Sequence, residues 1–150
     1  MAIQGKIAVA CDHGGFELKG TIIAHLGAIG YEVKDFGTYT PESCDYPDFA
    51  VPACEAIVSG KCAAGILVCG TGVGMSICAN KIDGIRAAVT TEPFSAEFTR
   101  RHNDANVLCL GQRVIAEEMA LRLTDIFLGT DFEGGRHSRR LDKIKALEKR

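Results

Sequence analysis

The sequence lacks the features that would place this protein in a membrane or on nucleic acid. No apolar run approaches the roughly 20 residues that a transmembrane helix needs. The first residues, Met1 to Lys6, have no signal-peptide arrangement. The formal net charge of -2 is too small for a general affinity for polyanions. We therefore expect a cytoplasmic protein without a membrane or nucleic-acid partner.

The chain also lacks any C-x-x-C pair, the local signature of zinc ribbons and thioredoxin-like proteins. It has seven cysteines, and an odd number without a signal peptide indicates reduced thiols in a cytosolic protein. They are Cys11, Cys44, Cys54, Cys62, Cys69, Cys78 and Cys109. Most lie in apolar stretches, so we interpret all but Cys69 as small buried core residues.

What remains is an alternation of short apolar runs and helical periodicity over a single domain, 1–150. Buried strands joined by helices are typical of a parallel sheet covered on both faces. The sequence therefore predicts an α/β fold, a Rossmann-like three-layer α/β/α sandwich of about five parallel strands. The predicted strands are 6–11, 31–36, 64–69, 85–90 and 106–110. The predicted helices are 16–29, 47–57, 74–82, 93–102 and 114–128, and a flexible-looking joint at 129–136 precedes a charged C-terminal helix at 137–149.

Polar residues follow several predicted strands at the carboxyl edge of the sheet, where open α/β sheets bind their ligands. Asp12 and His13 follow the first strand, Cys69 ends the third, and Arg113 follows the fifth. We expect these side chains to lie near one another.

A glycine loop follows Cys69 directly: Gly70, Thr71, Gly72, Val73 and Gly74. It matches neither the dinucleotide-binding G-x-G-x-x-G nor the P-loop. Loop N–H groups and the positive end of a helix dipole stabilise anions. Cys69 is therefore a candidate nucleophile, redox thiol or general base, with the loop as the cradle of an oxyanion. The Thr71 hydroxyl is placed to hydrogen-bond a substrate hydroxyl.

The end of the helix before the fifth strand has both a structural and a functional interpretation. His102 and Asn103 close the helix before the fifth strand, which leaves their edge of the sheet open. His102 is a candidate base and Asn103 a candidate oxyanion donor, although a histidine at a helix end also satisfies terminal carbonyls. We interpret His25 and His137 as surface residues.

The C-terminal helix is basic. Arg136 and Arg140 are spaced i, i+4 and share one helix face. This spacing fits a solvated helix with favourable terminal charges, and it also fits a bidentate phosphate clamp. Glycines before Arg136 would let the segment reach an active site, including that of another subunit.

Together these motifs resemble the ribose/galactose isomerase family, in particular its type B ribose-5-phosphate isomerase branch. The matching segments run nearly from end to end of the chain: 10–19, 35–38, 45–49, 69–76, 79–81, 84–87, 101–106, 110–114 and 132–137. So many matches in the same order make a chance resemblance very improbable.

The resemblance implies an enzyme that interconverts ribose 5-phosphate and ribulose 5-phosphate through a cis-enediolate, with no metal or organic cofactor. It implies that Cys69 moves the proton between C2 and C1, assisted by Thr71, and that His102 opens the sugar ring. The implied substrate-binding residues are Asp12, His13, Gly70, Thr71, Gly72, Val73, Gly74, Asn103, Arg113, Arg136 and Arg140. Of these, His13 and the three arginines would hold the phosphate, and the loop N–H groups with Asn103 would hold the enediolate.

The resemblance also implies a homodimer or homotetramer with active sites shared between subunits, and a C-terminal segment 136–150 packed on a neighbouring subunit. One branch of the family uses a glutamate base where this chain has Met75, so the resemblance is to the cysteine-base branch. Three alternatives stay open: an isomerase of a hexose 6-phosphate such as allose or galactose 6-phosphate, a non-catalytic sugar-phosphate-binding module, and a flavodoxin-like redox protein. The absence of tryptophan disfavours the last.

Overall fold

The computed structural model describes residues 3–150, in which five strands alternate with helices. The strands are β1 Ile7–Cys11, β2 Val33–Asp35, β3 Ala64–Cys69, β4 Ala87–Val89 and β5 Val107–Gly111. The helices are α1 Phe16–Ala28, α2 Pro47–Val58, α3 Val73–Ala79, α4 Pro93–Asn103, α5 Glu117–Gly129 and α6 Arg136–Ala146. One 3-10 turn, His13–Gly15, leads into α1, and another, Leu147–Lys149, follows α6. None of the helices in this part of the chain is both long and apolar enough to cross a membrane.

The strands form one parallel sheet in the order β2-β1-β3-β5-β4. Chain order reverses between β1 and β3, because β2 lies on one side of β1 and all later strands lie on the other. Their register pairs Cys11 with Val68, so β1 and β3 end at the same level. A crevice at such a reversal is where open α/β sheets bind ligands.

Alternate residues along the strands feed two cores on opposite faces of the sheet. On one face, Ile7 and Val9 pack with α1 and with Phe127 of α5. On the other face, Ala8 and Ala10 pack with α2 and α3. The predicted three-layer α/β/α sandwich with five parallel strands is therefore confirmed. Cys69 belongs to the α2 and α3 face, so its side chain points toward the helix that the glycine loop opens.

The edge strands are shorter than the sequence pattern indicated. β2 and β4 have three residues each, where runs of six residues were predicted, because each pairs with a single neighbour. The predicted helix at 114–128 begins at Glu117, since residues 114 and 115 turn back to bond the Gly111 carbonyl. The interior strand β3 has the predicted bounds.

Candidate active site

The carboxyl ends of β1 and β3 bring Asp12 close to the glycine loop. Asp12 is buried, and its Oδ1 accepts a hydrogen bond of 2.9 Å from the Gly14 N–H, which caps the 3-10 turn. A Cβ on Gly14 would lie 3.0 Å from the Gly70 nitrogen, so only glycine allows this close approach. The turn after β1 and the loop after β3 are thus in contact, as the sequence predicted.

The Cys69 thiol lies at the base of the loop and contacts its backbone. The residue is 5% exposed, and its Sγ accepts a hydrogen bond of 3.1 Å from the Gly72 N–H. The backbone of the loop therefore contacts the candidate base directly. The loop is fixed from below because the Cys69 and Gly70 carbonyls accept bonds from Gln112 and Arg113 N–H.

Gly72 provides the conformation that this hydrogen bond requires. Its φ is +80°, in the left-handed region, and it is the N-cap of α3. A Cβ there would lie 2.8 Å from Val89 Cγ2 and 3.0 Å from the Leu110 carbonyl carbon. Both the dihedral angle and the crowding therefore select glycine.

We expect Gly72→Ala to destabilise the fold. The left-handed conformation alone costs about 1–2 kcal/mol for a residue with a Cβ, and the crowding adds to it. Thermal and urea unfolding should report the loss. Gly20→Ala in α1 is the matched control, since nothing lies within 4 Å of a Cβ there and its φ is ordinary; it should leave stability unchanged or raise it by up to about 1 kcal/mol. Equal effects of the two substitutions would contradict this account of the loop.

Arg113 covers the loop from the β5 side. Its guanidinium lies about 3.5 Å from the position that a Cβ on Gly70 would occupy. Its positive charge therefore faces the loop beside the end of β3, where it can attract an anionic group of a ligand.

The sequence did not identify Tyr46 as part of this region. Its ring lies over Gly74, where a Cβ would approach to 2.9 Å, and the residue is partly exposed. Its segment belongs to the matching stretch 45–49, but nothing in the local pattern indicates contact with a loop 28 positions later in the chain. Tyr46 forms an aromatic wall of the crevice.

The remaining residues of the loop region are arranged as follows. His13 is exposed, and its Nδ1 accepts an N–H bond of 3.2 Å from Cys44, which assigns the ring proton to Nε2 in the neutral form. Thr71 is exposed, and its Oγ1 accepts a bond from the Val73 N–H, which leaves the hydroxyl proton to be donated. Met75 is fully buried in the core below the loop. We call Asp12, His13, residues 69–74 and Arg113 the loop half-site.

His102 and Asn103 lie at the opposite edge of the sheet. They end α4, and the left-handed Asp104 (φ +44°) turns the chain into β5. Arg86, which precedes β4, donates to the Asn103 carbonyl. Cys69 pairs with Gly111 at the far end of β5, and Val107 begins that strand four residues earlier, a separation of roughly 13 Å along a parallel strand. One chain therefore does not bring His102 and Asn103 to its own loop half-site.

A second cluster surrounds His102. Its ring makes an edge contact with Phe98 at 4.8 Å and stacks on His137 at 4.1 Å between centroids. His102 Nε2 lies 3.7 Å from Glu133 Oε2, and the Glu133 N–H donates to the Arg101 carbonyl. The segment 129–136, predicted to be a flexible joint, is thus fastened to α4. A hollow of about 290 Å³ opens beside His102 and Asn103, lined by the edge strand β4 and α4.

The prediction that His137 is a surface residue is wrong. It is 5% exposed, because α6 packs its ring against His102 on α4. Burial lowers the pKa of His137, and the neighbouring His102 and Arg136 lower it further. In the sequence, Glu133 four residues earlier could have indicated a partner for His137. The basic residues around His137 favoured a surface interpretation instead. His25, by contrast, is partly exposed and pairs with Asp125 at 2.6 Å.

Arg136 and Arg140 are exposed on α6, close enough to His137 to lower its pKa. They accompany His102 and Asn103 at the edge of the sheet opposite to the loop. We call His102, Asn103, Arg136 and Arg140 the histidine half-site. The chain thus presents two groups of candidate residues, and each contains part of the predicted site.

Comparison with known proteins identifies the family of this chain. Residues 7–144 match the model of the family described as Ribose/Galactose Isomerase. The chain is 52% identical over 145 residues to ribose-5-phosphate isomerase B of Escherichia coli strain K12, covering 97% of each chain. Its fold matches ribose-5-phosphate isomerase B of Clostridium thermocellum with a TM-score of 0.95 and 52% identity, covering 96% of this chain and 97% of the other.

A further solved structure is of ribose-5-phosphate isomerase B from Mycoplasma genitalium with bound ribulose-5-phosphate. It matches with a TM-score of 0.93 and 40% identity and covers 98% of each chain. Family model, sequence relatives and solved structures agree over nearly the whole length. This chain therefore belongs to the ribose/galactose isomerase family.

Proposed function

We propose that the protein is an aldose–ketose isomerase that interconverts ribose 5-phosphate and ribulose 5-phosphate through a cis-enediolate. The observation that carries this proposal is the Cys69 thiol held against the Gly72 N–H at the mouth of an anion-stabilising loop. A base and an oxyanion cradle are the two parts that this chemistry requires. The seven free thiols fit a reducing compartment, which is the cytoplasm in our proposal.

Cys69 is the base in this scheme. As a thiolate it removes the proton from C2 of the open-chain sugar, and the electron pair moves onto the C1 carbonyl oxygen. The Cys69 thiol then returns the proton to C1, while the C2 hydroxyl becomes the ketone carbonyl and its proton passes to the oxygen on C1. The N–H groups of the loop receive the charge that develops on oxygen, and one such preorganised donor is typically worth about 10²–10³ in rate. The buried Met75 supplies no carboxylate for this task.

His102 opens the sugar ring by acid–base transfer at the ring oxygen, and Asn103 contributes to the enediolate cradle. Because both residues lie at the edge of the sheet away from Cys69, we infer that they serve the loop half-site of a second copy. The active site is then composed of the loop half-site of one chain and the histidine half-site of its partner. In a two-fold dimer every such contact occurs twice, which gives two equivalent sites.

The surface around the glycine loop suits a second copy of this chain. Val73 and Ile77 lie one turn apart on α3 and are 47% and 57% exposed, and Phe94 at the start of α4 is 67% exposed. Apolar side chains grouped beside a functional loop are typical of a protein contact. Ile144 and Leu147 are similarly exposed on the C-terminal segment, which fits our prediction that 136–150 packs on a neighbour.

The phosphate is held at the junction of the two half-sites. Arg113 and His13 come from the loop half-site, and Arg136 and Arg140 come from the partner's histidine half-site in this proposal. Guanidinium groups bind phosphate oxygens in bidentate fashion. Binding of this unreactive group positions C1 and C2 at Cys69.

Turnover of purified protein tests the proposal. Ribose 5-phosphate and allose 6-phosphate should each be supplied with a chelator present, and ketose formation followed. We expect ribose 5-phosphate to be converted with the higher kcat/KM. A higher kcat/KM for allose 6-phosphate would establish the hexose alternative. Binding of ribose 5-phosphate without conversion would establish the non-catalytic alternative.

A further inference from the structure

Three potential metal ligands converge at the histidine half-site. His102 ends α4, His137 lies in the first turn of α6, and Glu133 precedes that helix. Their ligand atoms all lie within 4.8 Å of one another. The Glu133 Oε2 is 3.7 Å from His102 Nε2 and 3.5 Å from His137 Nε2. Donors on a tetrahedral zinc are roughly 3.3 Å apart, close to these separations. Because the two rings are stacked and nearly parallel (12°), binding of one ion by both requires one ring to rotate out of the stack.

His137 supplies an independent indication that this cluster accepts a ligand. Its side chain is 6% exposed, and its Nε2 makes no hydrogen bond within residues 3–150. A buried ring nitrogen without a partner is costly in a folded protein. Glu133 Oε2 lies 3.5 Å from this atom, close to the separation of two donors on one zinc ion.

We propose that His102, Glu133 and His137 form a zinc-binding site. Two imidazoles and one carboxylate are a known protein ligand set for Zn²⁺, with a fourth position left for water. Ca²⁺ and Mg²⁺ prefer oxygen ligands, so this donor set disfavours them. His102 and Glu133 have side chains about one-third exposed, so a metal ion reaches the cluster from solvent.

Arg101 holds the Glu133 carboxylate in an orientation that suits metal binding. Arg101 bonds the Oε1 atom at 2.5 Å, which directs Oε2 toward the two rings. Such outer partners orient metal ligands and raise affinity.

Occupancy of the site would inhibit the enzyme. This consequence rests on the proposed function, in which the His102 ring transfers a proton to and from the sugar ring oxygen. A zinc ion bound to the His102 ring would occupy the nitrogen lone pair that accepts the proton. It would also draw the ring toward Glu133. Zn²⁺ should therefore inhibit turnover of ribose 5-phosphate reversibly, with full recovery on addition of a chelator.

Calorimetric titration of the intact protein with Zn²⁺ tests the site without reference to activity. We expect one zinc per chain from this cluster, and a loss of affinity of about 10–100-fold or more in Glu133→Gln and His137→Asn. Cobalt provides a spectroscopic control, because coordination by histidine and carboxylate lacks the intense sulfur-to-metal absorption of thiolate sites. Glu97→Gln is the matched variant, since Glu97 also bonds Arg101 but lies outside the cluster; it should bind zinc like the parent.

Three outcomes would overturn the proposal: no zinc binding by the parent, unchanged affinity in Glu133→Gln, or a thiolate absorption with cobalt. If His137→Asn fails to fold, the zinc affinity of Glu133→Gln decides the test, because Glu133 is exposed and its substitution should not disturb folding. Zinc binding that depends on Glu133 in a protein without isomerase activity would support the site and refute the proposed function. Isomerase activity in a protein that binds no zinc would do the reverse.

Discussion

Replacing Cys69 by alanine will lower kcat for ribose 5-phosphate by about 10²–10⁴-fold, the usual contribution of a positioned general base. KM will change little, because the phosphate is held by other residues. The side chain is buried beside the loop, and alanine keeps the Cβ there, so the fold should persist. Steady-state kinetics on parent and variant, with circular dichroism as a check of folding, measure the effect.

The matched control is Cys62→Ala. Cys62 is also buried and comes just before the opposite end of β3, so it shares the packing role of Cys69 without its place at the loop. It should retain the parent's kcat. Full activity in Cys69→Ala would refute the assignment of Cys69 as the base. An equal loss of kcat in Cys62→Ala would show that the loss in Cys69→Ala comes from disturbed core packing.

Mixing two inactive variants will restore activity if the site is shared between subunits. Cys69→Ala lacks the base but keeps His102, and His102→Asn has the opposite defect. Half of the dimers formed from an equal mixture are mixed, and one of the two sites in each is intact. Activity should therefore rise to about a quarter of the parent value after subunit exchange.

Each variant alone, taken through the same dissociation and reassociation, is the control for this recovery. Recovery requires that one chain supplies Cys69 while the other supplies His102. If the mixture stays at the average of the two variants, both residues act within one chain. The roughly 13 Å of β5 between the two edges would then have to be closed by a large rearrangement.

The sequence predicted the fold well where residues act locally. Strand β3 is fully buried, and Lys61 shortly before it and Gly70 directly after it mark its limits in the pattern. The short edge strands β2 and β4 were predicted too long, since a run of apolar residues does not reveal how many neighbours a strand has. The contact between Asp12 and the glycine loop followed from one rule, that parallel strands end at the same edge.

The histidine half-site was less accessible to sequence reasoning. Whether His102 lies at the same edge as Cys69 depends on the order and direction of α4 and β5, which no local spacing reveals. His137 looked exposed among arginines and lysines, yet its burial comes from stacking on a residue 35 positions earlier in the chain. Tyr46 was missed for the same reason, because its contact with Gly74 is tertiary.

The most direct test of the account is proton NMR of ribose 5-phosphate incubated with the protein and a chelator in deuterated water. We predict formation of ribulose 5-phosphate and, on longer incubation, replacement by deuterium of the C2 hydrogen of ribose 5-phosphate and of one of the two C1 hydrogens of ribulose 5-phosphate, with neither change in Cys69→Ala. Failure of the parent protein to form ribulose 5-phosphate, or deuterium uptake at the same rate in Cys69→Ala, would contradict it.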